Sequence, residues 1–179
     1  MKMTREKGNS FLSFLIELPV LIIIAVVIAW VIKSFIVQPF YIPSSSMEPT
    51  LYPGDHVLVS KFIYYFREPR YQDIIVFRYP IDPKKDFIKR VIATEEQTVQ
   101  ALNGKAIVDG KVLNEPYIAS QGDSSNFGPI EVSSGKLFVM GDNRKSSFDS
   151  RVFGQLPQDN VLGKAFFIYW PPNRIRIVR

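Results

Sequence analysis

The chain has 179 residues, room for one medium domain or a small domain with appendages. It contains no cysteine and one histidine, which excludes disulfides, thiolate nucleophiles and Cys-based zinc sites and makes His56 the sole histidine available to a Ser-His-Asp triad. A formal charge of +5, with basic residues scattered except at the two ends, gives no nucleic-acid footprint.

Met1 to Ser10 carries Lys2, Arg5 and Lys7 against Glu6 and reads as a disordered tail. Leu18 to Val37 follows, 20 residues whose only charge is Lys33. At ~1.5 Å rise per residue the run reaches about 30 Å, the thickness of a bilayer core. Pro19 is expected in the first helical turn, where proline costs least. Trp30 and Lys33 fall near the far interface, and Lys33 can snorkel there. Basic residues precede the run and, Lys33 aside, none follows before Lys61, so the N-terminus is expected in the cytoplasm. A cleaved signal peptide would have a shorter core and a small-x-small site, and a buried helix would show a polar stripe. The expectation is a single-pass membrane protein with a cytoplasmic tail (1–17), an anchor (18–37) and the remainder outside.

Phe40 to Leu51, FYIPSSSMEPTL, sets three serines in a frame of prolines and apolar residues. Pro39, Pro43 and Pro49 fix their own φ and push the preceding residue toward extended backbone. Taken alone it reads equally as a capped turn or as a site. Strands are expected at His56–Val59, Asp73–Tyr79 and Phe87–Ala93, from β-branched and aromatic runs. Asn103-Gly104 and Asp109-Gly110 divide Thr98–Leu102, Lys105–Val108 and Lys111–Leu113 into a three-stranded meander. Residues 119–136, rich in Ser, Gly, Asp and Asn, read as loop. Lys136–Met140, Leu162–Trp170 and Ile175–Arg179 complete the strands, with weak helical character only at Ser60–Phe66. The fold class is mainly β: one N-terminal transmembrane helix, then an antiparallel sheet or barrel-like domain.

For chemistry, His56 opens a strand and no G-x-S-x-G elbow exists, so it reads as a surface or turn residue. Ser133-x-x-Lys136 matches the S-x-x-K spacing by chance, since its partner tripeptides are missing. Lys89 shares a strand face with Phe87 and Val91 and is either snorkelling at an edge or buried. Burial would have a use. Desolvation lowers a lysine pKa by several units, and at roughly 7–8 the neutral amine could deprotonate a serine without a histidine.

IPSSSMEPTL (42–51), GDHVLVSKF (54–62), DIIVF (73–77), FIKRV (87–91) and GDNRKSSFDSR (141–151), in that order after an anchor, resemble the conserved boxes of type I signal peptidases. The resemblance covers nearly everything outside the N-terminal tail and residues 95–136. It implies a catalytic β-domain at 38–94 and 137–179, interrupted by a small β-rich insertion at 95–136 like that of compact bacterial members. It implies Ser46 as nucleophile, Lys89 as general base, and Ser44 with the Ser46 N–H as oxyanion hole. Ser147 would orient the lysine. Arg90 with Asp142 and Asp149 with Arg151 would form structural ion pairs. Ile42, Pro43, Met47, Leu51 and Ile88 would line the small-residue pocket. Neither metal nor organic cofactor is implied, the partners being signal-peptide-bearing preproteins and the lipid bilayer, and a monomer is expected. Two positions depart from the family pattern: Gln72 replaces a usual Gly, and Ala93-Thr94-Glu95-Glu96 replaces a turn with Gly and Pro. The rival readings are an anchored β-domain that only binds exported chains and a self-cleaving repressor-type Ser–Lys protease. The anchor disfavours the second, and an intact Ser46/Lys89 pair the first.

Overall fold

The computed structural model describes residues 7–31, 37–118 and 124–178, and the chain divides into two units, Met1–Val37 and Gln38–Arg179. The first is helix α1, Lys7–Val31. It starts ahead of the expected anchor because Phe11 to Ile16 is already apolar apart from Ser13. Residues 7–10 are therefore helical rather than disordered, and Pro19 lies inside the helix, where it removes one backbone hydrogen bond. From Glu17 to Trp30 every side chain is exposed, and only Glu17 is charged. No helix among the described residues is long and apolar enough to cross a membrane. Of the expected span, 32–36 lies outside the described residues, and Val37 opens a strand.

The second unit is built on strands β1 (Val37–Tyr41), β2 (His56–Ser60), β3 (Ile74–Arg78), β4 (Asp86–Ala93), β5 (Thr98–Leu102), β6 (Lys105–Val108), β7 (Lys111–Val112), β8 (Phe127–Glu131) and β9 (Lys136–Met140). One helical turn, α2 (Ser150–Phe153), precedes β10 (Leu156–Pro157), β11 (Val161–Trp170) and β12 (Arg176–Ile177). The larger sheet has the order β1-β2-β11-β3-β4-β9-β10 with β12 on β11, and the smaller β7-β6-β5-β8. Every pairing whose register is described is antiparallel. Among the described residues β1 and β10 do not pair with each other, so the larger sheet is open rather than barrel-like.

The two tight turns form as their chemistry requires. Asn103, Gly104, Asp109 and Gly110 all have φ between 50° and 76°, the mirror-image turn that matches strand twist. Residues 119–136 are not all loop, since β8 pairs with β5. Gly128 and Pro129 hide that strand in the sequence, and both are tolerated because β8 is an edge. The insertion does not pack alone. Ile92, Phe138 and Met140 from the larger sheet share one buried cluster with Val99, Ala106 and Val108 from the smaller.

The two departures from the family pattern are backbone matters. Gln72 has φ 71° and Glu96 φ 65°, the left-handed region that favours glycine. Gln97 closes the second turn: its side-chain oxygen accepts from Thr94 N at 3.0 Å. At the first, the Gln72 N–H donates to the Val91 carbonyl and Arg90 donates to the Gln72 carbonyl, contacts any residue can make. Gln72→Gly is therefore expected to stabilise the protein by about 0.5–1 kcal/mol, read as a higher urea midpoint.

Arg174 and Arg176 both bond to the turn at 50–55. Arg174 makes two hydrogen bonds to Asp55, at 2.6 and 2.9 Å, and Arg176 donates to the Thr50 carbonyl at 2.6 Å. They clamp the 50–55 turn to the end of β11. Arg179 lies outside the described residues.

Candidate active site

Alternation along β4 points Phe87, Lys89 and Val91 to one side, above Ile75, Phe77 and Leu137. The Lys89 stem enters this apolar layer, and the residue is 4% exposed. Its Nζ donates to Ser46 Oγ at 2.7 Å and to the Ile88 carbonyl at 2.9 Å. Burial lowers the Lys89 pKa to about 8 against the opposing pull of Asp149 and Asp142. At pH 7 roughly one amine in ten is then neutral, against about one in 2,500 for free lysine.

Ser46 follows the Pro43-Ser44-Ser45 bend and opens a turn closed by Leu51 N donating to the Met47 carbonyl. Met47 and Leu51 are fully buried, so the turn is nailed to the core beneath it. Ser44 Oγ lies 3.4 Å from Ser46 Oγ. The 141–144 turn holds Ser46 from the other side. Asn143 N donates to the Ser46 carbonyl at 3.1 Å and Asn143 Nδ2 to the Ser45 carbonyl at 3.2 Å. Gly141 packs so closely on the Ser46 carbonyl and Ser147 that a Cβ there has no room.

Two buried ion pairs support that turn. Arg90 grips Asp142 through Nε (2.8 Å) and Nη2 (2.6 Å), and Thr50 Oγ1 donates to the same carboxylate. Arg151 makes the same two-point contact with Asp149, at 2.8 and 2.9 Å, and Asp149 accepts from Gly141 N. His56 is elsewhere, edge-on to Tyr41 and Tyr169. Ser133–Lys136 is a plain turn: Ser134 Oγ and Gly135 N both donate to Glu95.

Ser46 and Lys89 open onto a groove of about 330 Å³ walled by Ile42, Pro43, Val76, Ile88 and Phe148. A buried serine hydroxyl joined to a desolvated lysine amine, beside an apolar groove, is the equipment of a histidine-free acyl-transfer site.

A model of the family described as signal peptidase, peptidase S26, matches residues 15–170. The chain belongs to the signal peptidase family. It is a serine endopeptidase, a signal peptidase I that cleaves signal peptides from secreted preproteins. It is 44% identical over 161 residues to a probable signal peptidase I-1 of Synechocystis, covering 86% of this chain and 82% of that one. With the signal peptidase I of Bacillus licheniformis it shares 36% identity over 97% of this chain and 98% of that one. The crystal structure of an Enterococcus faecalis signal peptidase I superposes with a TM-score of 0.50 at 30% identity, covering 55% of this chain and 97% of that one.

Three expected contacts of this signal peptidase need correction. Met47 and Leu51 do not line the groove: both are at 0% exposure in the core that carries the serine turn. Among the described residues Ser147 Oγ is buried without a hydrogen-bond partner, while the Lys89 amine is satisfied by Ser46 and Ile88. Ser147 lies instead beside Gly141. Sequence reading gave the Gly141-Asp142-Asn143 turn a site-shaping role but missed Thr50 and Arg144. Both sit inside boxes already singled out, 42–51 and 141–151, so their polarity was the available signal.

Proposed function

We propose that this signal peptidase works through a Ser46–Lys89 dyad, the reading carried by the 2.7 Å hydrogen bond from Lys89 Nζ to Ser46 Oγ. The neutral Lys89 amine takes the Ser46 proton as Oγ attacks the carbonyl carbon at the cleavage site. The Ser44 hydroxyl and the Ser46 N–H donate to the oxyanion. As the tetrahedral intermediate collapses, the Lys89 ammonium protonates the leaving amine and the C–N bond breaks. Lys89 then takes a proton from the water that attacks the ester and returns it to Ser46 Oγ as the acyl C–O bond breaks. The Arg90–Asp142 and Asp149–Arg151 pairs fix the turn behind the serine. Ile42, Pro43 and Ile88 form a shallow apolar wall suited to small side chains at −1 and −3.

The apolar run of α1 and the residues beyond it serve as a single-pass anchor, with the N-terminus cytoplasmic and the 38–179 unit on the opposite face. What supports this is the unbroken exposed apolar surface from Leu18 to Trp30 and the basic residues ahead of it. Tethering raises the encounter rate with a substrate that itself carries a membrane-seeking segment.

The test is a pH–rate profile of kcat/KM in detergent, with a preprotein whose signal peptide ends Ala-x-Ala. Because the base must be neutral, activity is expected to rise with pH along an acidic limb near pH 8 and to level above it. A limb near the free-lysine value of ~10.4, or none at all, would overturn the buried-base reading.

A further inference from the structure

Residues 113–118 belong to the insertion, yet their side chains reach the turn behind Ser46. Leu113 N donates to the Ala106 carbonyl, which ties the segment to β6. The Glu115 carboxylate pairs with the Arg144 guanidinium, and both side chains are buried, at 6% and 3% exposure. Arg144 Nε donates to the Gly141 carbonyl at 3.0 Å, and the Arg144 carbonyl accepts from Arg151 Nη2 at 2.7 Å. Tyr117 Oη donates to Glu115 at 2.9 Å, and Arg90 Cζ lies 3.8 Å from the Tyr117 ring centroid. Burial, with the Glu115 carboxylate next, pushes the Tyr117 phenol far above its usual range, so it remains a donor.

Arg90 is thus held between a carboxylate and an aromatic face, its Asp142 contact on one side and the Tyr117 ring on the other. In a desolvated setting the attraction between a guanidinium and the aromatic face adds to the Asp142 contact in fixing where Arg90 sits. We infer that Glu115 and Tyr117 are positioning residues for the cleavage reaction: through Arg144 and Arg90 they hold the Gly141–Arg144 turn, and so set both the placement of Ser46 and the field at Lys89. The inference rests on the dyad reading above.

The route to Lys89 is electrostatic. The charged groups acting on its amine are Asp149 and Asp142, which favour the ammonium and are themselves paired with Arg151 and Arg90; Asp86, on the same strand, lines the same groove. Arg90 offsets Asp142 only while it stays in its two-point contact. If the ring beneath it is lost, the Asp142 charge is less compensated, the ammonium is favoured, and a higher pH is needed to free the base.

The experiment uses the full chain in detergent and the Ala-x-Ala preprotein. Tyr117→Leu is expected to lower kcat about 10-fold at pH 7, leave KM within about twofold, and raise the acidic limb by roughly 0.5–1 pH unit. Tyr117→Phe keeps the ring under Arg90, so its limb should stay at the parent position. Glu115→Gln removes the charge that holds Arg144, and kcat should fall about 3–10-fold with KM unchanged. A Tyr117→Leu protein with the parental urea transition and an unmoved limb overturns the inference. So does a limb that moves equally in Tyr117→Phe. Should Tyr117→Leu fail to fold, Glu115→Gln decides, and a parental kcat there overturns it. Activity surviving in Ser46→Ala would instead strike the dyad reading, which separates the two failures.

Discussion

Lys89→Met is expected to reduce kcat/KM for preprotein cleavage by at least about 10⁴-fold while leaving the protein folded, and at neutral pH more stable. The two effects have one cause. The Lys89 amine lies in a layer of Phe87, Val91 and Ile75, where its charged form is penalised, and its pKa falls to about 8. Between about pH 8 and the unfolded value of ~10.4, the unfolded chain binds a proton that the folded chain does not. Stability of the parent must therefore rise with pH across that window, and at neutral pH the burial of this lysine costs about 3 kcal/mol. Methionine has similar length and no charge, so it removes that cost and the pH slope together. It also leaves nothing to take the Ser46 proton. Ser46→Ala should lose as much activity, and the double variant no more than either single one, because the two groups act as a unit. Additive losses, or a Lys89→Met protein that keeps a hundredth of the parental rate, would sink the dyad.

The pair proposed as the dyad stands out in the sequence because its signals are local. Period-two alternation alone puts Lys89 with Phe87 and Val91, and three prolines alone make Phe40–Leu51 rigid. Which of three serines faces the lysine was not local, and the resemblance supplied it. The strand order was also invisible, since it depends on β11 inserting between β2 and β3 from more than eighty residues away. The pocket shows the limit most clearly. Met47 directly follows Ser46, which lines the groove, and Leu51 ends the same turn, yet both side chains lie in the core. Nothing in composition distinguishes an apolar side chain that faces a substrate from one that anchors the loop carrying the nucleophile. Glu115 and Tyr117 were hidden for a different reason: they lie in a segment that reads as peripheral, and only the shared core of the two sheets brings it onto Arg90.

Gly141→Ala is expected to lower kcat/KM by about 10²-fold or more with only a moderate loss of stability. The position does not need glycine for its backbone angle. It needs it for space, because a Cβ would overlap the Ser46 carbonyl and the Ser147 side chain. Gly141 itself cannot retreat freely. The Gly141 N–H is held by Asp149 at 3.0 Å and its carbonyl by Arg144 at 3.0 Å, and both partners are in buried ion pairs. Relief must come from the serine turn, which Met47 and Leu51 fix to the core, so Ser46 shifts relative to Lys89. A displacement near 1 Å at a nucleophile is enough for a hundredfold loss. Gly163→Ala supplies the control, for its Cβ would press on the Ser60 carbonyl and on Val59 Cγ1 in the β2–β11 pairing. That substitution should lower the urea midpoint as much or more, yet leave kcat per folded molecule near the parental value. If instead the two alanines cost activity only in proportion to stability, the close approach at Gly141 is packing and not alignment. If Gly141→Ala alone loses rate while its acidic limb stays near pH 8, the loss lies in where Ser46 points rather than in the charge state of Lys89.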